Sequence, residues 1–464
     1  MAFMCQLTII PVFIMTFLIL TPSAIAAENL TDLIPNSTDF DQLDKIALDE
    51  IEEKHVPGAA LVIVSGDDVV YSRGYGLANI ETNQSTTCDT LFRIGSTTKI
   101  FTAAALVKLE NEGRIDLQLP VGNYITGLSP NISRFTGHQL LSHTAGLVSG
   151  GNDYGKHDES GLAEGIRSLN DSVCFTTPGE VYSYSNNGFA IAGLLLEEVG
   201  GKPYADMISE LLLKPLGMNM TTFRPTEAMT YPISQGYRTN EVGEMDVVRP
   251  FNDDTQYWPA GFLFTSANDL ARLAIALLNN GTIDEKQVLD PAIISEMETS
   301  RAEIPSFLDN RTYGYGLMIH DYRGLRVVEH PGAIDGFSCC FMLVPEYRLA
   351  VIVLSNTATA ELNRTYEKAF ELMLPLQDNT IFPLAVSFNE SEMAAFEGDY
   401  YQSPTLRITL NKSDFEQYDI RKIGENLLAL GYSSENPLVM AMIPGPDGTI
   451  TYLQMDGKSM KKIK

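Results

Sequence analysis

The sequence predicts a mixed α/β protein of the α+β kind: an antiparallel sheet flanked by N- and C-terminal helices, enclosing a helical insert, with a small β domain appended. Three observations carry this reading. Strand-type runs occur near both ends of a long region, around residues 56–76 and 313–356. Between them, from about 118 to 305, apolar residues recur at helical spacing. Past Leu376 the chain breaks into short strand-like pieces separated by turns such as "PGPDG".

From Asp39 to Lys54 apolar residues recur at helical intervals, and "VPGAALVIVSGDDVVYSRGYG" then reads as a β-hairpin turning at Gly66, Asp67 and Asp68. The run "FRIGSTTKIFTAAALVKLENEGRIDL", residues 92–117, contains a helix of about sixteen residues ended by Gly113. Within the insert, "NNGFAIAGLLLEEVGG" and "SANDLARLAIALLNNG" each place apolar residues on one face before a glycine stop. Strands return in "YGYGLMIHDY", "LRVVEHPG" and "FSCCFMLVPEYRLAVIVLSN", and residues 358–373 read as a closing helix. The expected organisation is residues 1–27 as an export signal, 28–376 as the main domain, 377–390 as a linker and 391–464 as the small β domain.

The export signal is read from a nearly uninterrupted apolar run, Leu7 to Leu20, followed by Ala24, Ile25, Ala26 and Ala27, the small-residue pattern of a cleavage site. No Lys or Arg precedes Leu7, which keeps an uncleaved anchor as the alternative; the short apolar run favours cleavage, leaving no stable membrane span. Eleven Asn-x-Ser/Thr sequons between Asn29 and Asn411 point the same way, to a secreted or extracytoplasmic glycoprotein; composition alone gives about three. The chain has 464 residues, 44% of them hydrophobic, enough for a large core, and a net charge of −27. So acidic a surface repels phosphate backbones, which argues against nucleic acid as a partner. Beyond Cys5, the cysteines Cys88, Cys174, Cys339 and Cys340 leave one disulfide and free buried thiols equally open. The six histidines show no metal-ligand spacing, so no metal is expected; a homo-oligomer is left open.

Ser96 and Lys99 stand three apart at the head of the 92–117 run. A hydroxyl needs an adjacent base to act as a nucleophile near neutral pH, and a lysine at i+3 on a helix faces the same side. A serine in a first helical turn also sits where backbone N–H groups stabilise an oxyanion. For that lysine to accept a proton, its pKa must fall well below about 10.4. S-x-x-K is common by chance, and a second copy, Ser459 to Lys462, lies near the C-terminus; only Ser96 follows a strand and a glycine and opens a strong helix.

Two further segments complete a candidate acyl-transfer site. In "PGEVYSYSNNGFAIAGLLLEEVGG", Tyr184 and Asn186 precede a helix, where a tyrosine and an amide can share a proton network with the lysine; Asn186 or Asn187 as a helix cap is the alternative. In "VVEHPGAIDGF", His330 and Gly332 end a strand, where a glycine lets substrate lie close to the strand edge; a plain turn is the alternative. His143 is read as packing, and Trp258 as core rather than cleft border.

In this order and at these separations, the three motifs resemble the serine β-lactamase and penicillin-binding protein superfamily, in the branch of class C β-lactamases, D-alanyl-D-alanine carboxypeptidases, D-aminopeptidases and related esterases. Against the S-x-x-K, S-D-N, K-T-G pattern, Y-S-N replaces the second motif and H-P-G the third. "HVPGAALVIVSG", "HQLLSHTAGL", "PAGFLFTSANDLARL" and "GAIDGFSCCFMLVPEYRLAVIVLSN" extend the similarity from about Asp41 to Phe370. The resemblance implies a β-lactamase/transpeptidase-like fold and a cofactor-free serine hydrolase. Ser96 would be the acylated nucleophile, and Lys99 and Tyr184 would share the base and acid work. Asn186 would hold the substrate amide, while backbone N–H groups of Ser96 and Ala333 form the oxyanion hole. His330 stands where class C β-lactamases carry lysine, so a residue neutral near pH 7 replaces a fixed charge and efficient β-lactam hydrolysis is in doubt. A peptidase of the D-amino-acid type is favoured; β-lactamase, carboxylesterase and a non-hydrolytic acyl-binding protein are the rivals. From about Ser391, "FEGDYYQS" looks like the start of the lipocalin-like domain of some peptidase members, which could limit cleft access, mediate assembly or simply stabilise.

Overall fold

The computed structural model describes residues 37–463 apart from 152–153, 241–242, 306–309, 359, 379–382, 387 and 435–436. The expected export signal, with Asn29 and Asn36, lies outside the described residues.

Helix α1 (Ser37–Glu53) leads into the hairpin β1 (Gly58–Ser65) and β2 (Asp68–Asn79), whose turn places Gly66 at φ +65°. Helix α2 (Lys99–Asn111) follows. The helical insert contributes α3 (Asn186–Gly200) and α4 (Ala267–Leu278). The chain then returns to the sheet with β3 (Met318–Tyr322), β4 (Leu325–Glu329), β5 (Gly332–Ile334), β6 (Phe337–Val344) and β7 (Leu349–Ser355). Helix α5 (Asn363–Met373) closes the main domain.

These strands and three two-residue strands form a ten-stranded antiparallel sheet. Within it β1 lies between β7 and β2, with Ala59 opposite Ser355 and Tyr75. Near-continuous apolar runs in β1 and β7 follow from burial on both faces, because successive side chains point to opposite sides. Leu61, Ile63, Val351 and Val353 pack with α1 and α5 through Leu43, Ala47, Phe370 and Met373. Val62, Val64, Ile352 and Leu354 face the other way, into the larger core shared with α2 and the insert through Ile100, Phe101, Leu106 and Phe189.

The closing helix begins five residues later than the sequence suggests, because its cap is not local. The fully buried Glu50 carboxylate of α1 accepts from the N–H groups of Arg364 and Thr365, at 3.2 and 2.9 Å, and from the Thr365 hydroxyl at 2.7 Å. A carboxylate at a helix N-terminus is well placed for the dipole, and here it also ties the two terminal helices together.

The C-terminal β domain opens with α6 (Glu390–Phe396), capped by Asn389 in a capping box. Its strands are β8 (Gly398–Ser403), β9 (Leu406–Leu410), β10 (Arg421–Gly424), β11 (Leu427–Leu430), β12 (Leu438–Pro444), β13 (Ile450–Met455) and β14 (Lys458–Lys462). They form an antiparallel sheet in the order β9-β8-β14-β13-β12-β11-β10. Its own core contains Phe396, Tyr400, Phe415, Leu428, Met440 and Leu453. Cys88, Cys174, Cys339 and Cys340 are all free thiols, which answers the open cysteine question against a disulfide. Among the described residues no helix is long and apolar enough to cross a membrane.

Candidate active site

Ser96 does not sit in the first turn of an α-helix, as its sequence context suggests, but in a 3₁₀ turn, Gly95–Thr98, that precedes α2. The local residues explain the tighter turn. Gly95 adopts φ +50°, open to glycine at little cost, and the Thr98 hydroxyl donates back to the Gly95 carbonyl at 2.7 Å. The Thr97 hydroxyl reaches the His330 carbonyl at 2.8 Å, fastening the turn to the segment before β5. Ser96 is half-buried, whereas Gly95, Thr97 and Thr98 of the same turn are buried.

Lys99, the first residue of α2, is fully buried and brings its amine to 3.1 Å from Ser96 Oγ. The same Nζ donates to Asn186 Oδ1 at 2.8 Å and to the Ala260 carbonyl at 2.6 Å. Rings of Tyr184 and Phe189 lie 4.7 and 5.5 Å away. Acceptors and aromatic faces favour the ammonium, but no ion pair offsets the loss of water among the described residues. Burial therefore holds the amine well below the ordinary lysine range.

Tyr184 comes from the extended segment ahead of α3, and its side chain lies beside Ser96. Burial keeps the phenol protonated well past its usual range, only partly opposed by the neighbouring Ser96. Neither Asn186 nor Asn187 caps α3: Ser185 does, its Oγ accepting from the Gly188 N–H at 3.2 Å. That frees Asn186 to face Lys99, while Asn187 is buried and accepts from the Tyr257 hydroxyl at 2.9 Å.

Gly332 and Ala333 pass the serine turn at backbone contact distance. A Cβ on Gly332 would lie 1.9 Å from the Ile94 carbonyl oxygen, and one on Gly95 would lie 2.5 Å from the Ala333 nitrogen. The two glycines thus let β5 run beside Ser96 with the exposed Ala333 next to the nucleophile. Gly332→Ala is accordingly expected to push β5 off the turn and slow acylation of Ser96 by about a hundredfold. It should also lower stability by about 1–3 kcal/mol. An unchanged acylation rate would detach β5 from the site.

His330 departs from the expectation that it meets the substrate: it is 1% exposed. Pro331 and the bend after β4 turn the ring inward, where Nδ1 donates to the Pro331 carbonyl at 2.8 Å and Nε2 accepts from the Tyr313 hydroxyl at 2.9 Å. Burial, reinforced by Lys99, pushes its pKa down to about 3, so the ring is neutral. His143 is buried as read from sequence, its Nδ1 accepting from the Ser185 N–H at 3.0 Å and its ring 4.3 Å from that of Tyr184. Trp258 is core, stacked on Phe223 and donating to Asp253 Oδ1 at 2.8 Å. Three partners of the site are not singled out by sequence: Ala260, Phe189 and Tyr313. Ala260 acts through its carbonyl, which no side-chain pattern marks, although it falls within the "PAGFLF" segment.

Ser96, Lys99, Tyr184 and Asn186 therefore meet at one point, with Gly332 and Ala333 alongside. A half-buried serine next to a desolvated amine, within this fold, defines a serine hydrolase. Comparison with known proteins gives the same class: the chain belongs to the beta-lactamase family, whose model matches residues 40–372. Unguisins hydrolase ungD' of Aspergillus campestris is 31% identical over 341 residues, covering 70% of this chain and 62% of that protein. Protein flp of Staphylococcus aureus strain N315 is 27% identical over 321 residues, 68% of this chain and 62% of its own length. The chain thus spans less than two thirds of these relatives. Among solved structures, SurE superposes with a TM-score of 0.75 at 24% identity, covering 92% of this chain and 99% of that one. An octameric penicillin-binding protein homologue from Pyrococcus abyssi gives 0.65 at 24% identity, covering 92% and 96%.

Proposed function

We propose that this chain is an exported serine hydrolase that opens amide bonds of D-amino-acid-type peptides through an acyl-enzyme on Ser96. The observation that carries the mechanism is the Lys99 amine, 3.1 Å from Ser96 Oγ and deprived of water. As a neutral amine it takes the hydroxyl proton while Ser96 Oγ attacks the carbonyl carbon. The resulting oxyanion lies at the backbone N–H groups of Ser96 and Ala333. Tyr184, held protonated by burial, hands its proton to the leaving amine and is resupplied through Lys99. Water then attacks the acyl-enzyme by the reverse proton route. In this scheme Asn186 orients both Lys99 and the substrate amide, and His330 braces Tyr313 beneath the site.

The substrate class draws support from a neutral group where β-lactam specialists carry a cation, and from the structure of SurE with D-Leu, which this fold matches with a TM-score of 0.72 at 23% identity. Export draws support from the sequons: of the nine asparagines among the described residues, eight are exposed and Asn363 is half-buried. The octameric Pyrococcus relative keeps a homo-oligomer in view.

The test is a substrate panel given to the mature protein: D- and L-alanyl amides, nitrocefin, a nitrophenyl ester and a fluorescent β-lactam. Release from the D-amide faster than from its L-counterpart is the expected result. Fast nitrocefin turnover would make the chain a β-lactamase, ester-only turnover an esterase, and persistent label without turnover a binder.

A further inference from the structure

From the second, non-catalytic S-x-x-K copy and two buried glutamines we infer that the C-terminal β domain is part of the active site, acting as a clamp that positions Tyr184. Resting on the reading of Tyr184 given above, the inference makes Gln402, Gln454 and Ser459 positioning residues for the hydrolase.

The segment Tyr182–Ser185 runs extended between the two domains, and its polar groups alternate between them. Toward the main domain, the N–H of Ser183 donates to the His143 carbonyl at 2.8 Å and that of Ser185 to His143 Nδ1 at 3.0 Å. Toward the β domain, the Tyr184 N–H donates to the Gly457 carbonyl at 2.9 Å. The Tyr182 carbonyl accepts from Gln454 Nε2 at 2.9 Å and from the Ser459 hydroxyl at 2.8 Å. Ser183 Oγ accepts from Gln402 Nε2 at 3.0 Å and from the Ser459 N–H at 3.2 Å. The stretch that carries Tyr184 is thus gripped from both sides, by the β domain at Tyr182, Ser183 and Tyr184 and by the main domain at Ser183 and Ser185.

Burial distinguishes a clamp from an incidental contact. Gln402, Gln454 and Ser459 are no more than 3% exposed, and polar side chains are found buried where specific partners satisfy them. They sit on β8, β13 and β14, away from the apolar core of their own domain, and are tied to one another by Gln454 Nε2 to Ser459 Oγ at 3.1 Å and Gln402 Nε2 to the Ser459 carbonyl at 2.8 Å. An appendage that only filled space would present apolar or solvated residues here. In Ser459-x-x-Lys462, a strand turns the two side chains to opposite faces: the serine grips Tyr182, while Lys462 reaches the Ala395 carbonyl at 2.8 Å. Gly457, at φ +67°, forms the β13–β14 turn that brings its carbonyl to Tyr184.

The test uses the full chain in two forms, Gln402→Leu/Gln454→Leu and Ser183→Ala, the latter altering no residue of the β domain should the former fold poorly. Amide exchange of the peptide spanning 181–186 is read by mass spectrometry, and Ser96 acylation by stopped-flow with a fluorescent β-lactam. Exchange at Tyr184 is expected to quicken at least about tenfold. The acylation rate constant is expected to fall about tenfold to a hundredfold with the initial binding constant unchanged. Wild-type exchange in both variants would overturn the clamp, and faster exchange with wild-type acylation would overturn its role in positioning. Tyr184→Phe serves as the control: if it acylates at the wild-type rate, the reading of Tyr184 fails and its positioning with it. Exchange that still quickens in the glutamine variant would then assign that failure to the reading, not to the clamp.

Discussion

Alanine at position 96 is expected to abolish covalent labelling by any acylating probe and to reduce turnover by up to about a millionfold, to the background reaction. The size follows from the roles assigned: without Oγ no acyl-enzyme forms, and only oxyanion stabilisation and binding remain. The fold should hardly notice. Ser96 is half-buried, and its removal leaves Lys99 with Asn186 Oδ1 and the Ala260 carbonyl as acceptors, so the cost is about one hydrogen bond, roughly 1 kcal/mol. Intact-mass spectrometry after incubation with a β-lactam, alongside a melting curve, separates the two effects. An adduct surviving in a normally melting variant would move the nucleophile elsewhere. The neighbouring alternatives are poor: Thr97 and Thr98 are fully buried, and burial pushes the Cys339 thiol up to about 12, far from a reactive thiolate.

Central features of the fold were legible because they rest on local periodicity. Strands buried on both faces read as unbroken apolar runs, as in "GAALVIVS" and "LAVIVLS", and helices end at glycines such as Gly201, which adopts φ +71°. What escaped was set by distant partners. The start of α5 is fixed by Glu50 more than three hundred residues away, and the cap of α3 fell to Ser185 because Asn186 is engaged by Lys99. Glycine is required at position 95 because β5 passes against the serine turn, a requirement that arises only once the two segments meet.

For the site, residue type and order singled out Ser96, Lys99, Tyr184 and Asn186, and the fold places Ser96, Asn186 and the Tyr184 ring around the Lys99 amine. His330 illustrates where residue type misleads: a polar residue at a strand end reads as cleft-facing, yet Pro331 and Tyr313 turn it into the core. The groups that act through backbone, Ala260 and Gly457, leave no side-chain signature at all. Ser459 reads as a chance repeat of the nucleophile motif because its partners, Tyr182 and Ser183, are only brought to it by folding.

Lys99→Met should lower acylation by about a thousandfold and flatten its pH profile, since general-base catalysis of this kind contributes roughly 10²–10⁴ in rate. In the wild type the rate is expected to climb with pH as the amine loses its proton, with a midpoint below the ordinary lysine value of about 10.4. Tyr184 moves in the opposite direction, burial raising its pKa, so its ionisation does not produce this limb. The same shift has a signature in stability. Between the depressed folded value and about 10.4, the unfolded chain holds a proton on Lys99 that the folded chain lacks, so raising the pH stabilises the fold and lowering it removes that stability. Once pH falls below the folded value, both states are protonated and the dependence stops. Methionine removes the group, and with it a slope of at most about 1.4 kcal/mol per pH unit. The melting temperature of Lys99→Met minus that of the wild type should therefore grow as pH drops through that window. A difference constant with pH would mean that the amine titrates alike in folded and unfolded chains, and a rate flat from about pH 5 to 9 in the wild type would remove Lys99 from the base role.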